Sequence, residues 1–191
     1  MLLVLFIGLP LFVVAYVIIR YSDSARDVRR VVDSIPEAEK PIPPLAVAVF
    51  QRLYTSTQRG SLVFQVLNEK LHSDGEDGPQ MRNLERHLRG GVSWLLTPLR
   101  ISDADQAVLV WNRTYFGTGG HGLWFGAQKY FGKDPRELSA DEMIRLWVIA
   151  QSPKRYDENP SKFDELFSWA TRIWRGEEQL GTREKFRNSG G

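Results

Sequence analysis

Apolar positions open the chain in one unbroken run. Residues 1–19 carry no charged side chain, and roughly 20 apolar residues cross a bilayer as a helix. The run predicts a single N-terminal transmembrane helix over residues 1–20, with Pro10 tolerated inside it. A cleaved signal peptide is the alternative. The anchor is preferred because no basic n-region precedes the run and no small-x-small cleavage site follows it. Residues 21–44 turn charged and proline-rich, with Pro36, Pro41, Pro43 and Pro44, as a juxtamembrane linker would.

From residue 45 the apolar spacing becomes helical. Leu45, Ala46, Val49, Phe50 and Leu53 share one face. Ser61 is expected to cap a second helix that carries Val63, Leu67 and Leu71 at i, i+4 and i+8. Residues 72–79, HSDGEDGP, read as a polar turn-rich loop, and residues 80–89 as a basic helix stopped by Gly90 and Gly91. Ser102 and Asp105 have capping-box spacing before a helix with Ala107, Val108 and Trp111. The glycine-rich run 117–122 predicts a tight loop, and 123–131 a short helix ended by Gly132. Ser139 and Glu142 form the clearest capping box, followed on one side by Met143, Leu146, Trp147 and Ala150 and stopped by Pro153. Phe163, Leu166, Phe167, Ala170, Ile173 and Trp174 make a strong amphipathic stripe. A polar tail, 176–191, closes the chain. No segment alternates with period two, so the fold class expected is all-α.

Composition narrows the function classes. Of 191 residues, 42% are hydrophobic and 12% aromatic, enough for a core. A net charge of +2 implies no nucleic-acid partner. Without cysteine there are no disulfides and no thiolate metal sites. His72, His87 and His121 lack metal-ligand spacing, and His121 is expected to pack within its loop. The segment GTGGHG is no phosphate loop, because no GK[ST] follows it. Arg20, Arg26, Arg29 and Arg30 all follow the apolar run, which by the positive-inside tendency favours a cytoplasmic C-terminal portion. The same cluster also suits anionic headgroups.

Residues 111–160 carry the most specific pattern. They hold Asn112, Tyr115-Phe116-Gly117, Ala127, Tyr130-Phe131-Gly132-Lys133, Leu138, Ser139, Glu142, Pro153 and Tyr156-Asp157 in one order. This resembles the C-terminal half of the family 51 glycosyltransferases, which polymerise peptidoglycan from lipid II. The resemblance implies a lysozyme-like helical transglycosylase domain over residues 45–175. It also implies lipid II or nascent glycan strands as ligand, the membrane and a cell-wall synthase as partners, and the outer, periplasmic face of the bacterial plasma membrane as location. That placement opposes the positive-inside tendency.

The same resemblance nominates site residues and exposes a gap. The family's general base is a Glu in an E-D-x-x-F-x-x-H pattern, which draws the proton from the acceptor sugar's 4-hydroxyl. No such pattern occurs upstream of Leu45, where Glu37 and Glu39 read as linker charges. The next motif, GGSTITQQLAKNL in the family, reads RGSLVFQVLNEKL over residues 59–71. Gly60, Ser61, Gln65, Leu67 and Leu71 match, whereas Leu62 and Phe64 replace threonines and Glu69 replaces a lysine. A second family Glu, in R-K-x-x-E, corresponds to Glu85, with Arg82 in place of the lysine. The stretch from Glu85 to Asn112 is several residues longer than the family's. The resemblance therefore implies Glu85 as the catalytic candidate and Ser61, Gln65, Arg82 and Arg86 as the diphosphate-binding set, with Mg²⁺ or Mn²⁺ as the cation if the protein is active. The expected protein is a degenerate, catalytically impaired member that still binds lipid II or glycan. An active polymerase and a non-catalytic membrane scaffold are the alternatives.

Overall fold

A computed structural model describes residues 11–12, 14–16, 30, 32–35, 41–73, 101–153 and 159–180. The first core helix, α1 (Pro44–Leu53), starts on a proline whose φ already suits a helix. It buries Ala46, Val49, Phe50 and Leu53, the i, i+3, i+4, i+7 face that the sequence predicts.

Helix α2 (Ser56–Ser73) begins five residues before the expected cap at Ser61. Thr55 Oγ1 accepts from the Gln58 backbone N–H at 3.2 Å, and Gln58 Oε1 accepts from the Thr55 N–H at 2.9 Å. This reciprocal Thr-x-x-Gln capping box satisfies two donors at once and outcompetes Ser61 as the start signal. Ser61 instead sits inside the helix and is exposed, while Val63 is fully buried.

The remaining helices keep to their predicted places. In α3 (Asp103–Arg113) the Ser102 hydroxyl accepts from the Asp105 N–H at 3.1 Å and donates to the Asp105 carboxylate at 2.7 Å. Helix α4 (Leu123–Phe131) ends on left-handed Gly132, and a 3-10 turn (Pro135–Glu137) follows. Asp134 caps that turn, and its hydrogen bonds to Arg136 lower its carboxyl pKa to about 2. Helix α5 (Ala140–Gln151) opens on the predicted Ser139/Glu142 box, complete in both directions. Helix α6 (Pro160–Arg175) buries Phe163, Trp169, Ala170 and Ile173.

Helix α1 is the hub, packed against α3, α5 and α6; α2 lies on α3, and α4 bridges α3 and α5. The Trp111 indole N–H donates to the Ala46 carbonyl at 3.1 Å and fastens α3 to α1. Trp147 on α5 meets the edge of Tyr54 at 5.5 Å and tilts against Trp169 of α6 at 6.3 Å. At the outer end of α6, Arg52 of α1 donates to the Trp174 carbonyl and lies 4.9 Å over its ring. Arg59 of α2 pairs with Asp103 at the start of α3, 3.2 Å away, and Gln51 donates to the same carboxylate.

The described residues are helical, with no strand among them beyond one isolated antiparallel bridge, Tyr115 to His121. The all-α reading therefore holds. Among the described residues no helix is long and apolar enough to cross a membrane. The expected span 1–20 lies mostly outside them; its described part, residues 11–12 and 14–16, is helical and exposes Leu11, Phe12, Val14 and Tyr16. Residues 74–100, including the expected basic helix with Arg82, Glu85 and Arg86, also lie outside the described residues.

Candidate functional site

The residues of the glycine-rich segment explain one another. Gly117, Gly119 and Gly122 adopt φ of +87°, +113° and +98°, a region closed to side-chain-bearing residues at this cost. They let residues 114–122 fold back so tightly that Gly122 N–H reaches the Thr114 carbonyl at 2.9 Å and Phe116 N–H reaches the Gly120 carbonyl at 3.3 Å. Phe116 at the heart of this loop is fully buried and stacks on Trp111, 6.5 Å between centroids and 5° between planes. A Cβ on Gly126 of α4 would fall 2.9 Å from the Phe116 ring, so glycine there admits the aromatic. The Phe116 carbonyl accepts from Lys129 Nζ and from the Tyr130 hydroxyl, both at 3.0 Å. Lys129 also reaches the Thr118 carbonyl at 3.2 Å. Loop and helix are one locked unit.

The lower part of the pattern behaves the same way. Lys133 pairs with the Glu142 carboxylate at 2.5 Å, and the Ser139 N–H binds its other oxygen. Lys133 first, and the Ser139 backbone second, hold that carboxyl below its ordinary range. Leu138 is buried beside them. Asn112 turns its amide back on the Val108 carbonyl at 2.9 Å. These residues thus hold each other in place.

This frame shapes a groove of about 400 Å³ where α2, α3, the 114–122 loop and the C-terminal ends of α1 and α5 meet. Leu62, Val66, Val110 and Ala150 supply apolar wall; Gln65, Arg113, Thr114, Tyr115, His121, Tyr54 and Gln151 supply polar groups. Gln151 is positioned by donating to the Tyr54 hydroxyl at 2.7 Å and to the Trp147 carbonyl at 3.3 Å. Tyr115 is 46% exposed, and its ring lies 5.1 Å from that of His121 across the bridge. Among the described residues lining the groove, none is acidic.

Of the residues expected at the site, Gln65 lines this groove. Ser61, one turn earlier, is exposed and is not part of the lining. Glu85, Arg82 and Arg86 lie outside the described residues. Leu62, expected to replace a cleft threonine, does face the groove. His121, expected in loop packing, both packs on Tyr115 and borders the groove. Tyr115, matched as part of the Tyr-Phe-Gly signature, is a groove residue, and so are Arg113 and Gln151, which pattern reading passed over. The signal available was their adjacency to Asn112 and Pro153, residues already matched. Among the described residues no group of three or more His, Cys, Asp or Glu comes together to hold a divalent cation. The described lining offers one imidazole and no carboxylate, whereas Mg²⁺ and Mn²⁺ take oxygen ligands, carboxylates foremost.

Residues 108–173, from the middle of α3 to near the end of α6, match the family model described as Transglycosylase. Over this third of the chain, the match supports kinship with the family 51 transglycosylases. It is similar to penicillin-binding protein 1A of Aquifex aeolicus, 30% identical over 112 residues, 59% of this chain and 15% of that protein. It is 33% identical over 96 residues to a biosynthetic peptidoglycan transglycosylase of Xanthomonas euvesicatoria, 49% of this chain and 38% of the relative. It is also 33% identical over 67 residues to penicillin-binding protein 1A of Streptococcus oralis, 34% of this chain and 10% of that protein. The chain therefore spans less than two fifths of the length of these curated relatives. The family match falls on the locked loop, α4 and α5, where the transglycosylase signature residues bond to one another.

Proposed function

We propose that this chain is a membrane-anchored transglycosylase-like domain that binds lipid II or nascent glycan strands in the α2–α3 groove and is impaired in polymerising them. The observation that carries the reading is the chemistry of the groove's described wall. Amide, guanidinium, imidazole and phenol groups converge there without a carboxylate. Such a wall can hold a polar ligand. It lacks the carboxylate that the family resemblance assigns as general base, a group that must stand within about 2.6–3.2 Å of the sugar hydroxyl or one water away. The missing E-D-x-x-F-x-x-H pattern points the same way. The presence of transglycosylases among the relatives supports the ligand class, and the apolar first 19 residues support the anchor.

The test is incubation of the purified chain with fluorescent lipid II and Mg²⁺ or Mn²⁺, followed by gel separation of polymer and a parallel binding titration. No polymer is expected, with saturable binding that Arg113→Ala weakens by about tenfold, the loss of one charge-assisted contact of ~1.5 kcal/mol. Polymer that disappears on Glu85→Gln would overturn the reading and establish an active polymerase. No polymer and no binding would leave only a scaffold. A periplasm-active reporter fused to the C-terminus is expected to be active; a cytoplasmic result removes the domain from lipid II.

A further inference from the structure

The groove's most exposed aromatic surface has no role in the fold's own core. Tyr115 and His121 stand on opposite rungs of the loop bridge, ring beside ring at 5.1 Å and 48°, with Tyr115 46% exposed. Their backbone is held by the loop's internal bonds and by the Lys129 and Tyr130 contacts to the Phe116 carbonyl between them. A rigid aromatic pair loses little conformational entropy when something stacks on it. Flanking it in the same groove are the side-chain amides of Gln65 and Gln151 and the guanidinium of Arg113. Among the described residues, no hydrogen bond or ion pair of the fold engages the Gln65 amide, the Arg113 guanidinium or the His121 ring nitrogens.

From this arrangement we infer that Tyr115 and His121 form a stacking platform for one pyranose ring, and that this platform, not a diphosphate contact, is the main recognition element of the described wall. A pyranose has an apolar face of axial C–H groups and a rim of hydroxyl or acetamido groups. Face and rim match a ring pair edged by amides, each of which offers both donor and acceptor. The groove's volume of about 400 Å³ falls in the range of small-ligand sites. The opposite reading, a phosphate cradle, fits less well. Arg113 is the one permanent cation among the described lining residues, and α2 turns Leu62 and Val66 toward the groove. Two phosphates would need more positive charge and more donors than that wall supplies. Arg113 then meets a carboxylate or phosphate substituent at one end of the sugar, while the rings set its orientation.

This inference rests on the proposed glycan-binding function, and the experiment separates the two. The probes are chitotetraose, which is soluble and free of phosphate, and lipid II in neutral phosphatidylcholine vesicles, each titrated against the full chain. Wild type is expected to bind both. Tyr115→Ala and His121→Ala are each expected to weaken chitotetraose by at least tenfold. Tyr115→Phe, which keeps the ring, should stay within threefold; a circular dichroism melt checks that each variant is folded. Lipid II binding without chitotetraose binding overturns the platform and leaves the broader function standing. Unchanged chitotetraose affinity in both alanine variants overturns it as well. Binding of neither probe by wild type overturns platform and function together.

Discussion

Gly126 is glycine because Phe116 occupies the space of its missing side chain, and a double-mutant cycle tests this directly. Phe116 is fully buried against Trp111, so Phe116→Ala should cost ~3–5 kcal/mol, the sum of lost transfer energy and residual cavity. In Gly126→Ala the new Cβ would stand 2.9 Å from Phe116 Cδ2 and Cε2. Neither partner can yield easily, since Trp111 backs the ring and Gly126 is fixed within α4. Overpacking of this kind costs ~1–3 kcal/mol, set against ~1 kcal/mol gained by alanine over glycine inside a helix. The single Gly126→Ala variant should thus lie ~0–2 kcal/mol below wild type. In the Phe116→Ala background the clash is gone and the cavity is open, so the same change should stabilise by ~1 kcal/mol. The coupling expected between the two sites is ~1–3 kcal/mol. Urea unfolding followed by tryptophan fluorescence measures it, with Phe116→Leu as a milder partner if Phe116→Ala leaves too little folded protein. Additivity within ~0.3–0.5 kcal/mol, the value for independent sites, would refute the claim that this contact seats the loop on α4.

Two further outcomes follow from the caps. Glu142→Gln keeps an oxygen for the Ser139 N–H and loses the Lys133 ion pair, a cost of ~0.2–1 kcal/mol at pH 7. Because the folded carboxyl is held below its ordinary range, its stabilisation is present above the unfolded pKa of about 4.3 and fades as pH falls through the folded value. Wild-type and Glu142→Gln melting temperatures should therefore converge in acid, and a gap that persists or widens there would contradict the assignment. Thr55→Ala removes the capping hydroxyl of α2 and should cost ~1 kcal/mol in chemical denaturation, with Thr55→Ser close to neutral; a silent Thr55→Ala would show that the helix start is held elsewhere.

Local chemistry made much of this molecule readable in advance. The apolar faces of α1, α3, α5 and α6, the Ser102 and Ser139 caps and the glycine stop at Gly132 all act within four or five residues, the range over which spacing and hydrogen bonding operate along a helix. The one misplaced start, at Ser61, failed for an equally local reason: Thr55 and Gln58 form a two-way box, and Ser61 offers one hydroxyl. The chemistry that the pattern nominated was less complete. Gln65 reaches the groove, and Ser61 on the same helix does not line it.

Helix type, order and face were thus settled by residues that are neighbours along the chain, because each helix is its own hydrogen-bonded unit and needs a partner only to cover its apolar stripe. The groove was not. Tyr54, Gln65, Arg113, His121 and Gln151 come from five different stretches of chain and become neighbours only when α1 packs against α3 and α5 and the glycine loop folds back over α4. Whether a polar side chain ends in a shared cleft or in open water depends on those non-local contacts, which no spacing along a single helix encodes.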